Sequence, residues 1–170
     1  MIEIKDKFYG SSFFNIQPVK VKNINEDTND MDNVEECREL CISIEEDDIW
    51  AYLFPVILKY YNDDLEENKK RYDVDKTKYN IGEETTFEWY LTYNYFTFED
   101  MNKIINELKK IIILLQTDFE NGYLDEIKKN YYKTDIKEIV SFYERFIEKV
   151  NHMMNESEKD GYRLISFMGP

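Results

Sequence analysis

The sequence TFEDMNKIINELKKIIILL, residues 97–115, carries the clearest structural signal in this chain of 170 amino acids. Its apolar side chains recur at spacings of three and four residues, which places them on one face of an α-helix. They are Met101, Ile104, Ile105, Leu108, Ile111, Ile112 and Leu115. Thr97 can cap this helix, with Asp100 in the place of the usual glutamate of a capping box. We therefore expect a long amphipathic helix that begins after Thr97 and ends near Asp118.

A second long helix is predicted further along the chain. Thr134 or Asp135 can cap its beginning, and Gly161 is well placed to mark its end. Its apolar positions again keep helical spacing: Ile136, Ile139, Val140, Tyr143, Phe146, Ile147, Val150 and Met154. Residues 123–132, between the two long helices, show a shorter helical pattern.

Several segments alternate between apolar and polar residues, which is the pattern of a β-strand with one buried face. The strongest is residues 87–94, followed by residues 40–45 and a terminal strand in residues 162–168. Weaker candidates lie in residues 2–8 and 13–24. Together these elements predict an α+β fold, an antiparallel sheet of about four to five strands with the two long C-terminal-half helices packed on one face.

The composition is that of one globular domain spanning residues 1–170, because 42% of the residues are apolar and no linker-like segment interrupts them. Residues 49–61 leave the topology open. Either a helix capped by Asp47 or Asp48 is kinked at Pro55, or a short strand precedes a helix that begins at Pro55.

Charge is the most informative property of the sequence for function. The chain contains 36 acidic and 22 basic residues, so its formal net charge at pH 7 is −14. Residues 1–48 hold 13 acidic and 5 basic groups and carry −8 of this charge. Such a protein repels phosphate backbones and anionic lipid headgroups, which disfavours nucleic acids and membranes as partners. It favours a basic protein partner, whose association a concentrated negative patch would steer.

The acidic first part of the chain contains the predicted partner-binding surface. Its members are Glu35, Glu36, Glu39, Glu45, Glu46, Asp47 and Asp48, with Trp50 or Tyr52 as an aromatic anchor. We therefore expect a non-catalytic acidic binding protein, an inhibitor or immunity-type protein that engages a basic protein partner. In the simplest alternative these acids are a solvated face, Trp50 belongs to the core, and the patch has no role.

A second alternative is a small carboxylate-based, metal-dependent enzyme, with Asp73, Asp75, Glu84 or Glu88 as candidates. Two acidic windows approach the spacing of a calcium-binding EF-hand loop, but both lack the glycine at the sixth position. Their ligands would be Asn25, Asp27, Asn29 and Glu36 in the first window, and Asp73, Asp75, Thr77 and Glu84 in the second. A solvated acidic loop is the simpler interpretation of both.

Other catalytic signals are weak. The sequence contains no glycine-rich phosphate loop and no serine-hydrolase or zinc-protease motif. The single histidine, His152, has no predicted nucleophile beside it, and Cys37 and Cys41 are too few to form a zinc site with it. We therefore predict no catalytic residue, no metal and no cofactor.

The sequence also bears on location. No export signal is visible in the first residues, and the longest apolar stretch, residues 49–58, is shorter than the roughly 18 residues of a membrane-spanning helix. We therefore expect a cytoplasmic protein. The excess of residues with AT-rich codons favours a low-GC bacterial source.

Overall fold

The chain folds around one five-stranded antiparallel sheet. The computed structural model describes residues 1–10, 12–70, 87, 92–117 and 135–170. The strands are β1 (Phe13–Val21), β2 (Val34–Glu36), β3 (Ile42–Glu45), β4 (Tyr93–Thr97) and β5 (Leu164–Met168). The helices are α1 (Glu46–Tyr52), α2 (Phe54–Ile57), α3 (Glu66–Lys69), α4 (Phe98–Thr117) and α5 (Ile136–Lys159). The predicted α+β fold with two long helices is confirmed.

Strand β1 is the centre of the sheet. One of its edges pairs with β5, which in turn pairs with β4, while the other edge pairs with β3 at its beginning and with β2 at its end. Pro18 lies between these last two pairings, and its carbonyl accepts from the Cys37 amide at 2.9 Å. The nitrogen and the carbonyl of one strand residue face the same edge of the strand, so the Pro18 nitrogen faces the gap between β2 and β3. Proline has no amide proton to donate, and at this position no strand residue of β2 or β3 is paired with it.

Helices α4 and α5 cover one face of the sheet and form the main core with it. The sheet contributes seven apolar side chains to this face: Phe14, Ile16, Ile42, Ile44, Phe96, Ile165 and Phe167. The opposite face carries a smaller apolar cluster of Val19, Val34, Tyr93, Tyr95, Leu164 and Met168. Both faces of the sheet are therefore buried, and the second buried layer is not predicted by the sequence.

Helix α4 begins and packs as the sequence predicts. The Thr97 hydroxyl accepts from the Asp100 amide at 3.1 Å, which confirms the predicted cap, and donates to the Asp100 carboxylate at 2.9 Å, so that the second bond joins the two side chains and does not reach the Thr97 amide. All seven apolar residues of the predicted stripe are buried against the sheet and α5.

Helix α5 also has the predicted limits. The Asp135 side chain caps it by accepting from the Lys137 amide at 3.1 Å. At its other end, Gly161 has a φ of +83°, and the Gly161 and Tyr162 amides donate to the carbonyls of Glu158 and Ser157. This is a Schellman motif, in which the left-handed residue is nearly always glycine.

The segment that follows β3 is helical on both sides of a break. Helix α1 ends at Tyr52, and α2 begins at Phe54, so that Pro55 lies in the first turn of the second helix. The alternative of a strand before Pro55 is therefore wrong, and a helix precedes the break as the kinked-helix alternative expects. The expected cap at Asp47 or Asp48 is also wrong, because α1 already begins at Glu46 and both residues lie in its first turn. A proline is tolerated in a first turn because its missing amide proton would have had no partner within the helix.

Strand β4 lies later than the predicted strand of residues 87–94. It runs from Tyr93 to Thr97, and Phe87 is a buried core residue outside any strand. Residues 88–91 of that prediction, and the helix predicted for residues 123–132, lie outside the described residues.

The outer edge of β4 is closed by side-chain amides. The Asn68 side chain of α3 accepts from the Tyr95 amide at 3.0 Å and donates to the Tyr95 carbonyl at 3.1 Å, as a neighbouring strand would. Asn29 accepts from the Tyr93 amide at 2.9 Å in the same manner. The outward main-chain groups of this strand are therefore paired at the amide of Tyr93 and at both the amide and the carbonyl of Tyr95.

We expect Asn68→Ala to destabilise the protein by roughly 2 kcal/mol or more, because both main-chain groups of the buried Tyr95 lose their partner. Urea unfolding followed by far-UV circular dichroism measures this change. Glu66→Ala, an exposed substitution on the same helix, is the control. Equal unfolding midpoints for the two variants would show that the amide pairing contributes nothing.

Candidate functional site

The predicted acidic surface is divided by the sheet into separate regions. Glu36 lies opposite Val19 near the end of β1, and Glu45 lies opposite Phe13 at its beginning. These two positions are six residues apart on β1, or about 20 Å at the rise of an extended strand. The acids of β2 and those that follow β3 therefore do not form one continuous patch.

Glu36 is committed to contacts inside the protein. Its side chain is only 8% exposed. Its carboxylate accepts from Gln17 Nε2 at 2.8 Å, from the Tyr93 hydroxyl at 2.6 Å and from Arg38 Nε at 2.6 Å. Burial, together with this hydrogen bond to Glu36, raises the pKa of Tyr93 well above its usual value. A carboxylate held in this way is not available to a partner protein.

Glu35 points to the opposite face of β2 and is also paired. Its carboxylate accepts from the Tyr162 hydroxyl at 2.9 Å and from Lys20 Nζ at 3.3 Å. These two contacts, the first being the stronger, lower the pKa of Glu35. Lys20 also lies 4.2 Å from the centroid of the Tyr162 ring, so the three side chains form one closed cluster.

The acids that follow β3 are arranged differently. Glu45 ends β3, and Glu46, Asp47 and Asp48 form the first turn of α1, where carboxylates interact favourably with the helix dipole. We call these four residues the acidic helix surface. No lysine or arginine among the described residues lies within ion-pair distance of any of the four. The charge of Glu45 contributes to the raised pKa of Lys5, but the Lys5 ammonium forms its ion pair with Glu3, at 2.5 Å.

The pKa of Asp48 responds to burial and to the other carboxylates of this surface. Its pKa is raised, first by burial and then by the nearby carboxylates of Glu45, Asp47 and Glu138. Glu45 and Asp47 are exposed, whereas Glu46 and Asp48 are half-buried. The N-terminal amino group acts in the opposite direction and lowers the pKa of Asp48. The surface is thus a concentration of negative charge without an ion pair to any described lysine or arginine.

Of the two predicted aromatic anchors, only Trp50 is accessible. Its side chain is 43% exposed, and its indole Nε1 lies 3.5 Å from a carboxylate oxygen of Glu46. Its ring packs edge-on against Phe54 at a centroid distance of 5.1 Å. Tyr52 is buried, and its ring packs against Phe142 of α5. Trp50 therefore extends the acidic helix surface, and Tyr52 belongs to the core.

Glu39, the remaining predicted acid, lies in a 3₁₀ turn of residues 38–40 between β2 and β3. Its side chain is exposed. It belongs neither to the buried cluster around Glu36 nor to the acidic helix surface.

The histidine lies on the surface, whereas the two cysteines are half-buried or buried. His152 is exposed on α5, close to Glu156. Burial raises the pKa of the Cys41 thiol to about 12 and also raises that of the half-buried Cys37. Both thiols are therefore protonated at neutral pH, which is the unreactive form of cysteine.

The first calcium-like window is used for turns and contacts instead. The Asp27 carboxylate accepts from the Asn29 amide at 2.9 Å. The Asn29 side chain accepts from the Tyr93 amide, and the Glu36 carboxylate accepts from the Tyr93 hydroxyl. Among the described residues, no three histidine, cysteine or acidic side chains are grouped as metal ligands would be. The second window lies outside the described residues, as do the enzyme candidates Asp73, Asp75, Glu84 and Glu88.

A layer of buried polar residues on the second sheet face was missed by sequence reasoning. It comprises Asn15, Gln17, Ser43 and Ser166, together with the carboxylate of Glu36. Polar residues alternate with apolar ones along β1, and such alternation ordinarily indicates a solvent-facing side. No signal in the sequence separates that case from a second buried layer.

Within the described residues, no helix has the length and apolar character needed to cross a membrane. Comparisons of the chain with protein-family models, with curated proteins and with solved structures gave no match. The architecture and the geometry of its surfaces are therefore the basis for any functional assignment.

We expect Glu36→Gln to lower the free energy of unfolding by about 1.5–3 kcal/mol, because hydrogen bonds to a charged, buried acceptor are replaced by weaker ones. Glu35→Gln, one residue away and exposed to solvent, should have a much smaller effect. Chemical denaturation of both variants measures the difference. Equal effects would contradict the assignment of Glu36 as the buried centre.

Asp48→Asn is expected to raise the melting temperature at pH 7. The pKa of Asp48 is higher in the folded state than in the unfolded chain, so its ionisation opposes folding once the pH rises above the unfolded value. The gain should shrink as the pH falls and vanish below about pH 4, where the carboxyl is protonated in both states.

Calorimetry between pH 3 and 8 measures this dependence, with Glu148→Gln, an exposed acid on α5 outside this surface, as the control. A pH-independent gain, or a loss of stability at pH 7, would contradict the raised pKa of Asp48.

Proposed function

We propose that this protein is a non-catalytic binding protein that engages a basic protein partner through the acidic helix surface. The observation that carries the proposal is the group of carboxylates of Glu45, Glu46, Asp47 and Asp48, which form no ion pair with the described residues and lie beside the exposed Trp50. A role as an inhibitor or immunity-type protein in the cytoplasm of a low-GC bacterium belongs to the same proposal.

Electrostatics support this choice of surface. Burial and, after it, the neighbouring carboxylates raise the pKa of Asp48, and the second of these effects would be relieved when lysine or arginine side chains of a partner come close. The same charge would steer a basic protein toward α1 from a distance, with a dependence on ionic strength. Nucleic acids and anionic membranes, by contrast, would be repelled by it.

The proposed interface includes fewer acids than the sequence suggests, because some of them already have partners inside the protein. Glu35 and Glu36 already have cationic or hydroxyl partners within the protein, so their use by a partner would require these contacts to break. Glu39 lies between the two regions and is available only as a peripheral contact. The proposed binding surface is therefore the acidic helix surface with Trp50.

Trp50 supplies the apolar part of the interface. Tryptophan is among the residues most often found at the energetic centre of protein interfaces, where its ring is buried on binding. Its indole also binds cations over the ring face, and a ring flanked by Glu46 would favour an arginine or lysine side chain. Charge and an aromatic anchor are thus combined on one short helix.

The proposal is tested by affinity capture from a lysate of the source organism. The baits are the wild-type protein, Glu45→Gln/Asp47→Asn, and the control Glu66→Gln/Glu148→Gln, which removes the same charge from exposed positions elsewhere. We expect a basic protein to be retained by the wild type and the control but not by the first variant. Its retention should fall as salt is raised from roughly 50 to 300 mM.

Titration of the purified partner then measures affinity. We expect the Glu45→Gln/Asp47→Asn variant to bind about tenfold or more weakly, and Trp50→Ala to show a comparable loss. A partner that binds all variants equally, or whose binding does not respond to salt, would rule out the acidic helix surface as the interface.

A further inference from the structure

Two polar side chains face each other at the centre of the sheet, on the face away from α4 and α5. Gln17 of β1 and Ser166 of β5 are paired in the strand register, and both are fully buried, with 0% exposure. Tyr95 of β4 is the next residue in the same row across the sheet. The flanking rows contain the apolar Val19, Leu164 and Met168, together with the polar Asn15 and Thr97 and the ring of Tyr93.

Each of these two side chains has a polar atom without a partner. Gln17 Oε1 and Ser166 Oγ are fully buried and form no hydrogen bond with any of the described residues. The orientation of the Gln17 amide is fixed, because its Nε2 donates to the Glu36 carboxylate at 2.8 Å and an oxygen there would meet a negative charge. The unpartnered atom is therefore an acceptor, next to a hydroxyl that can donate or accept.

Buried polar atoms are nearly always hydrogen-bonded, since an unmet donor or acceptor loses its interaction with water and gains nothing in return. Facing residues of paired antiparallel strands have Cβ atoms about 4.5–5.5 Å apart, which leaves their terminal polar atoms within reach of one bridging molecule. An anion would meet the negative charge of Glu36, and an apolar group would leave both atoms unmet. A small neutral molecule with both donors and acceptors is what this pair can bind.

We infer that Gln17 and Ser166 hold a single internal water molecule that donates to Gln17 Oε1 and shares a hydrogen bond with Ser166 Oγ. One water with two or more polar partners is the usual way in which proteins satisfy such groups. This water fixes the Gln17 amide from one side while Glu36 fixes it from the other. It links the centre of the sheet to the buried carboxylate.

The first test is a high-resolution crystal structure of the wild-type protein. We expect an ordered water within about 2.7–3.2 Å of both Gln17 Oε1 and Ser166 Oγ. A direct hydrogen bond between the two side chains, or a side chain from elsewhere in the chain at this position, would overturn the inference.

The second test is the stability of Ser166→Ala. If the hydroxyl binds a water, its removal should lower the melting temperature by roughly 2–4 °C, the shift that corresponds to one lost hydrogen bond in a domain of this size. If the hydroxyl is unmet, alanine should leave the melting temperature unchanged or raise it. That result would overturn the inference.

Water-relaxation dispersion separates this water from an ordinary packing effect. Ser166→Ala should lose one long-lived internal water relative to the wild type. Ser43→Ala is the matched control, because the Ser43 hydroxyl bonds to the Lys7 carbonyl at 2.7 Å and to Asn15 Oδ1 at 2.6 Å. The control should be destabilised without loss of a water, and an equal water count in both variants would contradict the inference.

Discussion

The structure depends on strand β1 being paired along both of its edges. Its nine residues pair with β5 on one side and with β2 and β3 on the other, so every other strand except β4 takes its register directly from β1. Its alternating side chains also divide the protein into two layers, with Phe14 and Ile16 in the helix-covered core and Asn15 and Gln17 on the opposite face. Because a slip of one residue would exchange these two sets, the burial of both faces fixes the register.

The second layer explains how this protein distributes its acids. Glu36 is held by donors from β1, from β4 and from the turn after β2, which ties three parts of the sheet to one carboxylate. Glu35 closes a similar contact with Tyr162 at the end of α5. The acids of residues 35–48 therefore differ in their effect on stability: those of β2 stabilise the fold, and those at the start of α1 repel one another.

Much of the helical part could be predicted because the signals are local. The stripe of α4, its Thr97 cap and the Gly161 exit of α5 each depend on residues within a few positions of one another. The division of the acidic run could not be predicted, since it follows from β1 pairing with two different strands. The burial of Gln17 and the late start of β4 at Tyr93 likewise depend on long-range packing. The alternation of apolar and polar residues within one strand does not indicate such packing.

The side-chain amides of Asn29 and Asn68 also limit how the edge strand β4 can pair with other chains. An edge strand with free main-chain groups is a template on which further chains can stack into cross-β fibrils. The Tyr93 amide and both main-chain groups of Tyr95 are already paired with side chains of the same molecule, so these three groups are not open to an incoming chain. This pairing falls on a strand with three aromatic residues, Tyr93, Tyr95 and Phe96, whose β-propensity would otherwise favour such stacking.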